Sequence, residues 1–438
     1  MLGFPIVTDV IELDDNMDIP RNTYDECVAQ IIADCDSAYK YLPIAHRDFL
    51  VPVTAERAYK GGKYWGRFDG ISMRALKAMV YLTWASPRFN SGNVVARWDS
   101  AAYNAKKVID FKLTVDKTNA MGTGFNEATG VTWTNPNFPG IVIASRYNTN
   151  NDVIERMFYP GGFQGDGRIG PTQELVDAFG MANGRPITDP LSGYDPTKPY
   201  LNRDPRFYTM IWYNTAQAKK NNTGALMYTF ENWSNGGKDA AGVSQNNSLT
   251  NYHVKKFVSM GLNWSDASVT RAAHSKFFIR WAHMVLAFAE AANHVTGNPN
   301  TALYGLTPKA AIKYLRVRKT YDNTNGLSAT DPYLDEVANA GEVAFDAFVK
   351  NERRIETCFE GMRFYDLRRW TTDANWQAVI NKPVHGAWIT KNTDNSFTYD
   401  LNFEVEPRLF QSPYLPIPYN EMLRNDALVQ NEGWANWN

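Results

Sequence analysis

The sequence predicts a mainly α protein: a body of paired, stacked helices carrying a loop-rich lobe with short strands. Three observations lead there. Apolar residues recur at helical spacing before residue 112 and again after 275, whereas residues 112–275 are rich in Asn, Gly, Thr and Trp and hold no sustained period. The helices are short, amphipathic and joined by brief loops, a pattern that buries its apolar faces by stacking in pairs. Three units follow: 1–111 as the N-terminal part of the helical body, 112–275 as the lobe, and 276–438 as the C-terminal helical body.

The first helix is RNTYDECVAQIIADCDSAYKYL, residues 21–42, with Tyr24, Val28, Ile31, Ile32, Cys35, Ala38, Tyr39 and Leu42 on one stripe and Pro43 as its stop. Asn22 or Thr23 caps it, and Asp25 and Glu26 sit in the first turn, where the helix dipole favours acids. After the glycine-rich KGGKYWGR loop, FDGISMRALKAMVYLTWAS forms a second helix whose Ser72, Ala75 and Ala78 permit close packing before Pro87 ends it. WDSAAYNAKKVIDF, 98–111, reads as a third. Strand-like pieces follow at Gly140–Ser145, Phe207–Tyr213 and Tyr252–Val258, separated by long polar loops of the kind that carry function. Helices return at 276–295, 307–321 and 342–371, and the tail 413–434 is extended around its prolines with one short helix.

Composition removes several function classes. The 438 residues balance 45 basic against 46 acidic side chains with no long basic block, so no nucleic acid partner is expected. Cys27 and Cys35 stand eight apart on one helix, roughly 12 Å of rise, beyond disulfide reach, and Cys358 has no partner in sequence. The six His are scattered, with no metal spacing, phosphate loop or nucleophile elbow, so neither cofactor nor metal is expected. No apolar run approaches the roughly 20 residues that span a bilayer. The unusual feature is aromatic: 13 Trp, 23 Tyr and 23 Phe. Most will pack a core, but exposed rings also suit sugars and other flat, amphipathic ligands.

NERRIETCFEGMRFYDLRRW, residues 351–370, gathers the charge. Glu352, Glu356 and Glu360 share a helical face that an acid/base or metal site could use, yet Arg353, Arg354 and Arg363 sit among them without a His. Structural ion pairs involving Glu352, Arg353, Glu356, Glu360, Arg363, Asp366 and Arg368 are the simpler account, with Gly361 breaking the helix.

That segment resembles the ER-x-x-E…EG-x-R-x-x-DL-x-RW element of the SusD/RagB family, the nutrient-binding outer-membrane lipoproteins of Bacteroidetes. Six further stretches resemble the family's landmarks in order: SMRALKAMVYLTWASPRFN, GPTQELVDAFGMANGRPI, NRDPRFYTMIWYN, FFIRWAHMVLAFAEAANHVTG, YLRVRKT and PYLPIPYNEMLRNDALVQNEGW. Departures are local: His283 stands for an acidic residue, Glu432 for a proline, and Cys358 in the stretch before Glu360. His283, on an apolar helix, is expected to be a hydrogen-bonded core residue. GFPI at Gly3–Ile6 resembles the segment that follows the family's leading block, so the chain is expected to be either a fragment or a reduced variant.

The resemblance implies a body of tetratricopeptide-like helical pairs, no enzyme activity, and a lid on a SusC-like TonB-dependent transporter. It implies a glycan ligand, or in some members a peptide, passed inward without chemistry at the outer face of the outer membrane. Membrane association is expected only through the family's N-terminal lipid anchor, which is expected to be absent from this chain. Loop aromatics beside amides or charges are the candidates for ligand binding, because a sugar's C–H face stacks on a ring while its hydroxyls need fixed partners. They are Trp65, Trp133, Tyr147 with Asn148, Tyr159, Phe163, Trp233 and Trp264, whereas Trp212, Trp281 and Trp370 fall in regular elements and are expected inside. A glycoside hydrolase remains the third class, with Glu155 and Asp166 or Asp152 as its two carboxylates.

Overall fold

A computed structural model of the chain describes residues 3–12, 16–44, 66–114, 141–150, 155–219, 227–258, 264–265, 268–269, 273–317, 327–328 and 330–434. The helices are α1 (Tyr24–Tyr41), α2 (Gly70–Ala85), α3 (Val95–Thr114), α4 (Gln173–Ala178), α5 (Pro205–Met210), α6 (Trp281–Thr296), α7 (Pro308–Arg316), α8 (Pro332–Asn339), α9 (Glu342–Glu356), α10 (Met362–Arg369), α11 (Trp376–Ile380) and α12 (Tyr419–Met422). The strands are β1 (Ile141–Asn150), β2 (Ile211–Trp212), β3 (Gln217–Lys219), β4 (Met227–Thr229), β5 (His253–Val254), β6 (Trp264–Ser265), β7 (Ser268–Val269), β8 (Ala273–Arg280), β9 (Val384–Lys391) and β10 (Phe397–Glu406). Among the described residues the strands form five two-stranded antiparallel sheets: β1 with β8, β2 with β5, β3 with β4, β6 with β7, and β9 with β10. The fold is mainly α and tetratricopeptide-like, with small sheets set around the helices.

The body is organised on α6, whose residues 281–293 are all buried. A helix apolar on every side must be surrounded, and α2, α3, α7 and α9 all pack on it. Close approach depends on small residues: Ala75 and Ala78 of α2, Ala101, Ala102 and Ala105 of α3, and Ala282 and Ala289 of α6 are all fully buried in one cluster. The ends follow from local chemistry. Thr23 and Glu26 cap α1 reciprocally: the Glu26 amide donates to Thr23 Oγ1 (3.2 Å) and the Thr23 amide to Glu26 Oε2 (2.7 Å). Gly297 closes α6 at φ 63°, a left-handed conformation that glycine adopts without a steric penalty. Gly361, at φ 77°, makes the elbow between α9 and α10.

Two further apolar clusters lie beneath the loops. One joins α4 and α5 to the β9–β10 hairpin through Phe179, Phe207, Tyr252, Ile355 and Ile389; the other gathers Phe158, Tyr159, Phe163, Trp212 and Phe230. Three segments differ from the sequence reading. Residues 276–280 belong to strand β8 and the helix begins only at Trp281, because β1 recruits AHSKFFIR as its partner. Residues 205–210 are helical: Asp204 accepts the Arg206 amide (2.9 Å) and Pro205 occupies the first turn, a start signal that outweighs the β-prone FYTM. The β9–β10 hairpin falls where only a helical body was expected.

Buried histidine makes stability depend on pH. His253 of β5 is fully buried, stacked near Phe230, and bonded through Nε2 to Asn232 Oδ1 (3.2 Å). Burial pushes its imidazole down to about 3. The folded value lies below the unfolded one, near 6.5, so this contribution is complete above pH ~6.5 and is lost as pH falls towards 3. Between pH 7 and pH 5 it should amount to about 2 kcal/mol. His294, raised despite burial by Asp346 and Glu342, acts in the opposite sense and is unaffected by substitution at residue 253. Urea titrations at both pH values should therefore show a smaller pH difference in His253→Gln than in the wild type; equal differences would remove His253 as the cause.

Candidate functional site

Trp233 is the candidate aromatic whose described ring reaches the surface. Its loop is docked on β9 almost as an added strand. The Ser234 amide donates to the Ile389 carbonyl (2.6 Å), Asn235 Nδ2 donates to the Lys391 carbonyl (2.9 Å), and Asn235 Oδ1 accepts from the Lys391 amide (2.8 Å). Gly237 permits this turn, since a Cβ there would stand 2.3 Å from the Glu231 carbonyl oxygen. The half-buried indole lies with its centroid 5.5 Å from Phe397, and Lys391 Nζ sits 4.9 Å from the ring centre. Beyond it the hairpin turn is polar: Asn392 Nδ2 donates to Ser396 Oγ (2.9 Å) and Thr398 Oγ1 (3.2 Å). A partly exposed ring and a cation lie beside a hairpin turn that carries amides and hydroxyls, groups suited to stacking a ring-shaped polar ligand and bonding its edge.

The other candidates are distributed differently. Trp65 and Trp133 lie outside the described residues. Tyr147 and Asn148 fall in β1, with Asn148 opposite Ser275, and Trp264 falls in β6 opposite Val269; their side chains lie outside the described ones. Tyr159 and Phe163 depart from the expectation. They are 1% and 0% exposed, stacked at 4.2 Å, with Phe163 edge-on to Tyr228 at 5.0 Å. Those rings pack the lobe's interior and present no face to a ligand. Trp212 and Trp281 are buried, and Trp370 is half-buried with Nε1 donating to Glu290 Oε1 (2.8 Å). The structure thus brings Tyr159 and Phe163 together in the core and leaves Trp233 apart. Asn235, Lys391 and Phe397 were not foreseen; the strict alternation of FTYDLNFEVE was the available sign of a surface strand there.

The glutamates of 351–370 are shared among guanidinium groups from distant elements. Glu352 binds Arg206 (2.8 Å) and Arg316, which are held in turn by Asp204 (2.7 Å) and Asp331 (2.6 Å). Glu356 and Glu360 both bind Arg280 (2.9 and 2.7 Å), and Glu360 also takes Lys256 (2.5 Å) and His283 Nε2 (2.8 Å). The Arg280 amide approaches His283 Nδ1 at 3.5 Å, which places the imidazole proton on Nε2. Burial alone would raise the Glu360 carboxyl, but Arg280 and Lys256 hold it well below the usual carboxylate range. Asp366 joins Arg353 (2.7 Å) and Arg369 (2.8 Å), and Arg369 reaches Glu290 of α6 (2.6 Å). Arg363 and Arg368 were expected to join these pairs and take no carboxylate among the described residues. Arg368 instead stacks on Phe364, 3.4 Å from its ring centre, and donates to that residue's carbonyl (3.0 Å). Of the hydrolase carboxylates, Glu155 is fully buried, Asp166 is bonded to Arg156 (3.1 Å), and Asp152 lies outside the described residues.

Among the described residues no cluster of His, Cys, Asp or Glu is arranged to hold a metal ion, and no helix is long and apolar enough to cross a membrane. The helical body, the small sheets and the charged hub on α9 and α10 define a SusD-like protein. The family model for the SusD family matches residues 101–434, and the chain belongs to that family. Its fold is similar to that of a SusD-like protein from Bacteroides fragilis (22% identity, TM-score 0.68, covering 98% of this chain and 75% of that one). A SusD-like carbohydrate-binding protein from the same species is similar at 17% identity and TM-score 0.64, covering 98% and 75%. Surface glycan-binding protein A from Bacteroides uniformis matches at 16% identity and TM-score 0.50, covering 98% and 73%. No curated relative matches the sequence.

Proposed function

We propose that this protein is a cell-surface glycan-binding protein that captures oligosaccharide or polysaccharide and delivers it, unmodified, to a SusC-like TonB-dependent transporter in the outer membrane. The observation that carries the reading is the Trp233 site, where a partly exposed indole and the Lys391 ammonium lie beside a polar hairpin turn. The family, together with the two similar proteins named above as carbohydrate- and glycan-binding, supports the ligand class. The burial of Glu155 and the pairing of Asp166 with Arg156 support capture rather than hydrolysis, since a glycosidase needs two carboxylates facing its substrate. Family membership also supports the transporter partner and the lipid-anchored position on the outer face.

A glycan array followed by calorimetry tests this. A neutral glycan should bind saturably, and Trp233→Ala should weaken it about tenfold or more, since a stacked indole contributes about 1.5–3 kcal/mol. Lys391→Met should weaken it less. Binding that survives Trp233→Ala unchanged would place the ligand elsewhere, and an array without a hit would move the ligand class to peptides.

A further inference from the structure

A second concave site lies where α4, the α9–α10 elbow, the segment between α11 and β9, and the chain after β10 converge. It is a cavity of about 390 Å³, within the range of small-molecule sites, roughly 300–1,000 Å³. Phe359, Leu367, Ile380 and Val384 make apolar walls, and Arg354, Arg363, Arg408 and Lys382 line the same space. None of its lining residues belongs to the Trp233 face.

The cations here differ from those of the hub. Every hub guanidinium meets a carboxylate, whereas Arg354, Arg363 and Arg408 form no hydrogen bond or ion pair among the described residues. The nearby acids are engaged elsewhere. Glu174, which lines the cavity, accepts the His385 amide (3.1 Å) and has its Oε1 2.5 Å from His385 Nδ1. Asp177 accepts from Gln173 (2.7 Å), and Asp366 is taken by Arg353 and Arg369. Burial and then Arg363 lower Arg354 to about 10, against the pull of Glu174 and Asp177; burial lowers Arg363 too, with Arg408 adding to it against Asp366. Holding three half-buried guanidinium groups beside one another without acceptors is unfavourable in the free protein. A bound anion would offset that cost, and the guanidinium fork matches the paired oxygens of carboxylate, sulfate and phosphate.

We propose that this cleft binds a compact oxyanion group, with the apolar walls holding the body of the ligand that carries it. A uronic acid or sulfated sugar and a free inorganic ion share this chemistry.

The test is calorimetry on the full chain at low ionic strength with sodium sulfate, sodium phosphate, glucuronate and a sulfated hexose. Glucose and ionic-strength-matched sodium chloride serve as controls. At least one oxyanion should bind saturably where the controls do not. Arg354→Gln and Arg408→Gln should each weaken it about tenfold or more, leaving the affinity for a neutral glycan at Trp233 unchanged. Neither side chain holds a carboxylate, so both variants should fold, with circular dichroism as the check. A sugar acid at least about tenfold tighter than its inorganic counterpart assigns the site to acidic sugars; equal affinities assign it to the oxyanion alone, and both uphold the proposal. No saturable oxyanion binding, or binding undiminished in both variants, overturns it. Losing neutral-glycan binding while oxyanion binding persists would count against the proposed function alone.

Discussion

Arg280→Ala is expected to lose about 3–5 kcal/mol of stability, because it leaves two carboxylates buried without their main counter-charge. Arg280 is 1% exposed and its guanidinium serves Glu356 at 2.9 Å, Glu360 at 2.7 and 2.9 Å, and the Glu356 carbonyl at 2.8 Å. Lys256 and His283 remain on Glu360 after the substitution, but the four bonds from the Arg280 guanidinium are lost. A domain stable by only about 5–15 kcal/mol would be brought near its unfolding threshold. Arg363→Ala makes the internal contrast. Without an ion pair to break, and with Arg354 and Arg408 relieved of a like-charged neighbour, its stability should stay within about 1 kcal/mol of wild type. Reading 351–370 alone assigns Arg363 to the stabilising pairs and would predict the reverse. Equilibrium urea unfolding of the two variants decides: equal losses would mean that the hub does not act through its bonded carboxylates.

Much of the helical body was legible because helical spacing is local. The stripe of α1, the small residues of α2 and the Gly361 elbow each follow from residues within a few turns. What was not legible depended on distant partners. AHSKFFIR has helix-compatible apolar spacing, and only pairing with β1, more than a hundred residues earlier in the chain, decides that it is a strand. Ion-pair membership shows the same limit. The interleaved charges of 351–370 announce a network, but Arg206, Arg280 and Arg316 come from other elements, and their geometry selects which of the local arginines are left over.

The candidate site was legible to a smaller extent, for a related reason. A loop aromatic in sequence carries no sign of which way its ring turns. FYPGGFQGDG and ENWSNGG look alike in composition, yet Tyr159 stacks on Phe163, which packs against Tyr228 and Phe230 in the interior, whereas Trp233, in a loop bonded to β9, stays partly exposed at the edge of its cluster. The basic cleft was less visible still. Arg354 and Arg363 lie far from Arg408 in sequence, and their meeting depends on the chain after the hairpin returning to the α9–α10 elbow.

The ion pair between Glu290 and Arg369 makes the second large prediction, one that separates the cost of breaking a buried pair from the value of having it. Glu290 is fully buried in the middle of α6 and receives both Arg369 Nη1 (2.6 Å) and Nη2 (2.7 Å), together with Trp370 Nε1 (2.8 Å). Burial would raise the Glu290 carboxyl, and Arg369 holds it below its usual range. Glu290→Leu should cost about 3–5 kcal/mol, since it takes the bidentate carboxylate from a buried guanidinium and leaves it only Asp366 as counter-charge, and Arg369→Met a similar amount, since it strips the buried carboxylate of its guanidinium. The double variant Glu290→Leu/Arg369→Met should cost much less than the sum, because no unpaired charge remains and Asp366 keeps Arg353 at 2.7 Å. A coupling energy of about 2–3 kcal/mol from the urea midpoints is the expected result. Additive losses would mean that each side chain acts through its other contacts, Ser86 and Asp366 for Arg369 and Trp370 for Glu290, and that the pair itself does little to join α6 to α10.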